Sequence, residues 1–93
     1  MASDPLEKYR QQLDAIDNEI VANILKRFKV CEDIGKYKKQ HDIPMMQPHR
    51  VEFVKQKAAR LAADSNLKPE FMQALYGLII EEACELQNKI INQ

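Results

Sequence analysis

The chain has 93 residues and carries 14 basic and 14 acidic side chains, which gives a formal net charge of zero. Hydrophobic residues make up 45% of the sequence and charged residues 30%, with two glycines and no tryptophan. This composition is typical of a helical globular protein and argues against a disordered or fibrous chain. The neutral balance provides no general attraction to nucleic acid or to an acidic membrane, so we expect neither as a partner.

The cellular location is predicted from what the sequence lacks. No apolar run reaches the length of a membrane span, and the first residues show no basic region followed by a hydrophobic one. Cys31 and Cys84 have no metal-type spacing and are interpreted as small buried thiols of a reducing compartment. We therefore expect a cytoplasmic protein, with one domain over residues 1–93 whose small core benefits from a partner chain.

The first predicted helix runs from Pro5 to Lys39 or Gln40 and is unusually long for a small domain. Asp4 is placed to cap it, and proline suits the first helical position. Arg27 interrupts its apolar face, and a guanidinium in an apolar interface is costly unless an anion meets it there. The apolar residues that define this face recur at spacings of three and four. They are Leu6, Tyr9, Leu13, Ile16, Ile20, Val30, Ile34 and Tyr37.

Prolines mark the remaining elements. Pro44 and Pro48 predict an ordered loop over residues 40–47, with a second helix beginning near Pro48. That helix is expected to end at the turn formed by residues 64–66. Pro69 opens a third helix, which continues almost to the last residue. The prediction is a single all-α domain of three helices, in the order long, short and medium.

The sequence contains no glycine-rich phosphate loop, no CxxC pair and no HExxH motif. His41 and His49 do not share one helical face, so no metal site is predicted. The candidates that remain are cations flanked by apolar residues, namely Arg10, Arg27, Lys38 and Arg50. Several such cations in a neutral chain indicate a small ligand that carries two or more carboxylates.

The rise of an α-helix predicts which of these cations can bind the same ligand. Arg27 and Lys38 are about 16 Å apart along the helix axis, so both can reach one small ligand. Arg10 and Lys38 are about 42 Å apart, which no single ligand of this size spans. Arg10 can therefore join that ligand only from a second, antiparallel chain, which also buries the long apolar face. The prediction is an interleaved homodimer with two equivalent pockets.

One constellation of residues resembles the small all-helical chorismate mutases over nearly the whole chain. In chain order it consists of Arg10, Arg27, the run Gly35-Lys36-Tyr37-Lys38, a proline-bearing loop, Arg50, the run Ile79-Ile80-Glu81, and Gln87. The resemblance implies an intertwined helical homodimer that converts chorismate to prephenate, a step of aromatic amino acid biosynthesis. It implies a pericyclic rearrangement with no cofactor and no covalent intermediate.

The resemblance also implies a role for each matching position. Lys38 and Gln87 would donate to the ether oxygen whose bond breaks. Arg27 and Arg10 of the partner subunit would bind the substrate carboxylates, with assistance from Arg50. Lys38, Gln87 and Arg27 are thus the predicted catalytic residues. The predicted substrate-binding set is Arg10, Arg27, Lys38, Gln47, Arg50, Val51, Ala83 and Gln87.

Two positions depart from the mutase pattern. Gln47 and Val51 stand where the mutases usually carry carboxylates that accept a hydrogen bond from the ring hydroxyl. An apolar residue at Val51 is similar to the related isochorismate pyruvate-lyases, which share the fold and produce salicylate. A mutase acting on 4-amino-4-deoxychorismate ranks lower, because its ammonium favours a carboxylate over Val51. From another functional class, a non-catalytic helical dimer serving as a binding or regulatory module also stays open.

Overall fold

The computed structural model of the protein describes residues 4–45 and 48–93, apart from the side chains of Pro48 and His49. It contains helices α1 (Pro5–Gln40), α2 (Pro48–Asp64) and α3 (Pro69–Ile91), and these described residues include no strand. The all-α class and the three predicted helices are confirmed. Along the same residues, no helix is both long enough and apolar enough to cross a membrane.

Helix α1 begins as the sequence predicts. The carboxylate Oδ1 of Asp4 accepts a hydrogen bond of 3.0 Å from the N–H of Leu6, and the Asp4 carbonyl accepts from the N–H of Glu7 at 3.0 Å. These bonds satisfy amide groups that have no partner within the first turn of a helix. Pro5 follows the cap and needs no such partner, because proline has no N–H.

The chain forms two compact units, Met1–Val30 and Cys31–Gln93. In the first unit, part of α1 carries an apolar stripe that the single chain leaves 49–63% exposed. We call it the N-terminal seam, and its members are Leu6, Tyr9, Leu13, Ile16 and Ile20. A contiguous apolar surface of this kind marks an interaction site. The prediction of one domain over residues 1–93 stays a prediction.

In the second unit, α2 packs against α3. Ala58 and Ala62 of α2 are almost completely buried, and Ala83 of α3 is buried as well. Among the described residues no large side chain is fully buried. The core of one chain therefore consists of small side chains, which agrees with the marginal core expected of a chain this short.

The end of α1 turns the following loop back onto the helix. The N–H of Ile43 donates to the Lys38 carbonyl at 2.9 Å, and Asp42 between them adopts a left-handed conformation with φ of 53°. This six-residue closure is the Schellman arrangement, which uses carbonyls that have no partner within the last turn. Because the chain reverses here, Met45 returns to the helix end, where its carbonyl meets the Lys38 side chain.

Candidate active site

Lys38 and Gln87, two of the predicted catalytic residues, are in direct contact in the second unit. The Nζ of Lys38, in the last turn of α1, donates to the Oε1 of Gln87 on α3 at 2.9 Å. Gln87 is only 8% exposed, and Lys38 is partly buried. A hydrogen bond from an ammonium in such surroundings is stronger than one between neutral groups. The contact is observed, whereas the catalytic role of the pair stays a prediction.

The Lys38 ammonium has a second partner in the loop, because its Nζ also donates to the Met45 carbonyl at 2.9 Å. An ammonium carries three N–H donors, so these two bonds leave one donor for a ligand. Sequence reasoning missed Met45. The contributing group is a backbone carbonyl, which any residue type supplies, so the sequence carries no signal for it.

The contact with Lys38 also fixes which way the Gln87 amide points. An ammonium donates and never accepts, so the amide oxygen must face Lys38 and the amide nitrogen must face away from it. The pair therefore has one charged donor, on Lys38, and one neutral donor group, on Gln87. Two such donors in a largely buried place suit an oxygen that becomes negative during a reaction.

Three other predicted substrate-binding residues lie in the second unit. Ala83 is buried one helical turn before Gln87 on α3, and Val51 is partly buried on α2. Arg50 is exposed, and its guanidinium carbon lies 5.0 Å from the centre of the Phe53 ring. That separation is within the range of a cation–π interaction, which holds the guanidinium over an aromatic face.

The remaining predicted residues lie elsewhere or outside the described part. Arg10 and Arg27 belong to the first unit, where Arg10 is exposed and Arg27 is partly buried. Gln47 lies outside the described residues. Binding roles for these three residues stay predictions.

A separate groove of about 730 Å³ lies between α2 and α3. Its walls carry cations, a carboxylate and amides, and also include the small residues Ala59, Ala74 and Gly77. None of the predicted site residues lines it. The groove is therefore distinct from the place where Lys38 meets Gln87. Its charged and amide-bearing residues are Glu52, Lys55, Gln56, Arg60 and Gln73.

Comparison with known protein families gives a match to the chorismate mutase type II model over residues 9–88. The chain belongs to the chorismate mutase type II family. The match includes Arg10, Lys38 and Gln87, and covers most of all three helices. The chain is accordingly an isomerase of the chorismate mutase family that takes a chorismate-type substrate.

The chain is also similar in sequence to individual mutases. The chain is 44% identical over 90 residues to 4-amino-4-deoxychorismate mutase of Streptomyces pristinaespiralis, covering 97% of this chain and 70% of that one. It is 39% identical over 88 residues to 4-amino-4-deoxychorismate mutase of Streptomyces venezuelae, covering 95% and 85%. It is 25% identical over 88 residues to chorismate mutase of Methanocaldococcus jannaschii, covering 95% and 89%.

Proposed function

We propose that this member of the chorismate mutase family rearranges chorismate to prephenate at a site built around Lys38 and Gln87. In this reaction the bond between the ring and the ether oxygen breaks while the enolpyruvyl methylene carbon bonds to the ring. The ether oxygen becomes the keto oxygen of the product. All atoms stay in one molecule, so the reaction needs no proton donor, oxidant or second substrate.

The hydrogen-bonded pair of Lys38 and Gln87 is the observation that supports this proposal. As the carbon–oxygen bond stretches, negative charge grows on the ether oxygen. The remaining Lys38 N–H and the Gln87 amide N–H then donate to that oxygen. The interaction is stronger in the transition state than in the ground state, which is the condition for raising the rate. The Met45 carbonyl and the Gln87 oxygen hold the ammonium in place beforehand.

The arginines supply the binding energy in this proposal. Arg27 and Arg10 of the partner subunit bind the two carboxylates, assisted by Arg50, because guanidinium groups pair with carboxylates through two parallel hydrogen bonds. Fixing both carboxylates holds the flexible enolpyruvyl chain over the ring. The proposed homodimer is supported by the exposed N-terminal seam, which a second copy of the chain covers.

A second candidate substrate is 4-amino-4-deoxychorismate. The two Streptomyces relatives, at 44% and 39% identity, both carry the name of that activity. The charge of its ammonium ranked it below isochorismate on sequence grounds, since Val51 offers no carboxylate. The relatives favour the opposite order, so the amino analogue replaces isochorismate as the second candidate. Both alternatives keep the dicarboxylate that the arginines are proposed to bind.

Parallel kinetics with the three compounds test this choice. We expect the purified protein to convert chorismate to prephenate with a higher kcat/KM than it shows with isochorismate, which it should not cleave to pyruvate. The amino compound is identified as the substrate if its kcat/KM exceeds that of chorismate by more than about tenfold. A tenfold difference corresponds to about 1.4 kcal/mol in the free energy of transition-state binding. Pyruvate release from isochorismate as the fastest reaction contradicts the proposal.

We also propose a cytoplasmic location. Cys84 forms no disulfide with any of the described residues. An unbridged cysteine suits a reducing compartment.

A further inference from the structure

We propose that Gly35 is a positioning residue for the active site. Its missing side chain lets α1 approach α3 closely enough for the Gln87 amide to meet the Lys38 ammonium at the distance that catalysis needs. This inference rests on the proposed function, because it assigns Gly35 an effect on the reaction through Lys38 and Gln87. The proposed effect of Gly35 is exerted through these two residues and not through a contact with the substrate.

The space around Gly35 is already filled. A Cβ built on this buried residue lies 3.3 Å from the Cγ of Gln87, 3.4 Å from its Cα and 3.5 Å from the Cδ1 of Ile90. The first two separations are at or below the short end of ordinary carbon–carbon contact. One of them involves the α3 backbone, which cannot rotate away as the end of a flexible side chain can. Adding a methyl group at Gly35 therefore forces Gln87 to give way by a few tenths of an ångström.

That displacement changes the geometry of the hydrogen bond between Lys38 and Gln87. Gly35 precedes Lys38 by three residues, so the two lie one turn apart on the same face of α1. Gln87 is 8% exposed and has little room in which to compensate. Its Oε1 accepts from Lys38 at 2.9 Å, and small misplacements of groups that stabilise a transition state cost rate. Gly35 thus controls the geometry at which the two donors meet a substrate oxygen.

Gly77 is a matched control within the same protein. It also lies inside a helix, but apart from its two chain neighbours and the backbone of its own helix, no atom of the described residues lies within 4 Å of a Cβ built there. Glycine-to-alanine substitution gains the same helix propensity at both positions. The two variants therefore differ in whether the added methyl group meets Gln87.

The experiment measures kcat, KM and the thermal midpoint of Gly35→Ala and Gly77→Ala with the substrate that wild type turns over. We expect Gly35→Ala to lower kcat about tenfold with little change in KM, because the pair acts on charge that exists only in the transition state. Gly77→Ala should keep the wild-type kcat and KM and should unfold at a higher temperature than wild type. Wild-type kcat for Gly35→Ala overturns the proposal.

A double-mutant cycle separates positioning from general damage. In a Gln87→Ala background, Gly35→Ala should lower kcat little further, because the group through which Gly35 acts is gone. An equal loss of kcat in both backgrounds overturns the proposal. Gly35→Ala could also lose helix content. In that case, a thermal midpoint that returns toward the wild-type value in the double variant Gly35→Ala/Gln87→Ala supports the contact between the added methyl group and Gln87. A midpoint that stays low in the double variant contradicts that contact.

Two failures are distinguishable in these data. If Lys38→Ala and Gln87→Ala both keep wild-type kcat, the proposed catalytic roles are wrong. If those variants lose activity while Gly35→Ala does not, only the inference about Gly35 is wrong.

Discussion

Lys38→Ala is expected to lower kcat for chorismate rearrangement by about a thousandfold, the upper end of the effect of removing one oxyanion donor. The expectation follows from the charge of this donor and from its partly buried position between Met45 and Gln87. Removing the ammonium leaves the Gln87 amide as a single neutral donor and frees it to rotate. Circular dichroism should show unchanged helix content, because alanine favours a helix at least as strongly as lysine does.

Lys36→Ala is the matched control for this loss. Lys36 lies on the same helix, carries the same charge and is exposed, so its removal should leave kcat and KM near wild type. Lys38→Met adds a second control, because methionine keeps an apolar stem but no charge. It should lose as much activity as the alanine variant. Wild-type kcat for Lys38→Ala with intact helices contradicts the role of the ammonium, and equal losses at Lys36 and Lys38 indicate an effect of net charge.

Mixing two inactive variants is expected to restore activity. If Arg10 acts across a dimer interface, a hybrid of an Arg10→Ala chain and a Lys38→Ala chain contains one site with both residues intact. The other site of that hybrid lacks both. Random exchange makes about half of the dimers hybrid, so the mixture should recover roughly a quarter of wild-type activity. Each variant alone should remain inactive at the same total concentration.

A mixture of Lys38→Ala and Gln87→Ala chains controls for unspecific effects of mixing. These two residues come from the same chain, as their contact shows, so each site of the hybrid retains one defect. Activity should not recover. Recovery in this control, or none in the Arg10 mixture, contradicts the shared site. A monomer in sedimentation at micromolar concentration contradicts the dimer itself and leaves Arg10 without a route to Lys38.

The helices were predictable because local chemistry marks their ends. Pro5, Pro48 and Pro69 each begin a helix, as expected from a residue that lacks an N–H. The turn at Asp42 was not predictable, because its left-handed conformation is usually signalled by glycine. This turn brings the Met45 carbonyl to Lys38. Because the sequence has no glycine to indicate the turn, neither the turn nor the contact between Met45 and Lys38 was predictable.

The sequence indicated a constraint at Gly35 but not its cause. A glycine inside a helix costs about 1 kcal/mol relative to alanine, which suggests close approach of another element or a ligand. The structure identifies that element as α3 at Gln87 and Ile90. Packing between residues of different helices that lie far apart in the sequence, such as Gly35 and Gln87, depends on the tertiary fold, which no local pattern encodes. Similarly, the periodicity of the N-terminal seam shows which face is apolar but not which molecule covers it.

The most direct measurement is the identity of the product formed from chorismate, by chromatography and mass spectrometry. Isomerisation conserves every atom, so we predict prephenate with the mass of the substrate, no free pyruvate, and loss of this product in the Lys38→Ala variant. Release of pyruvate, or unchanged chorismate at high enzyme concentration, contradicts the assignment of Lys38 and Gln87 to its rearrangement.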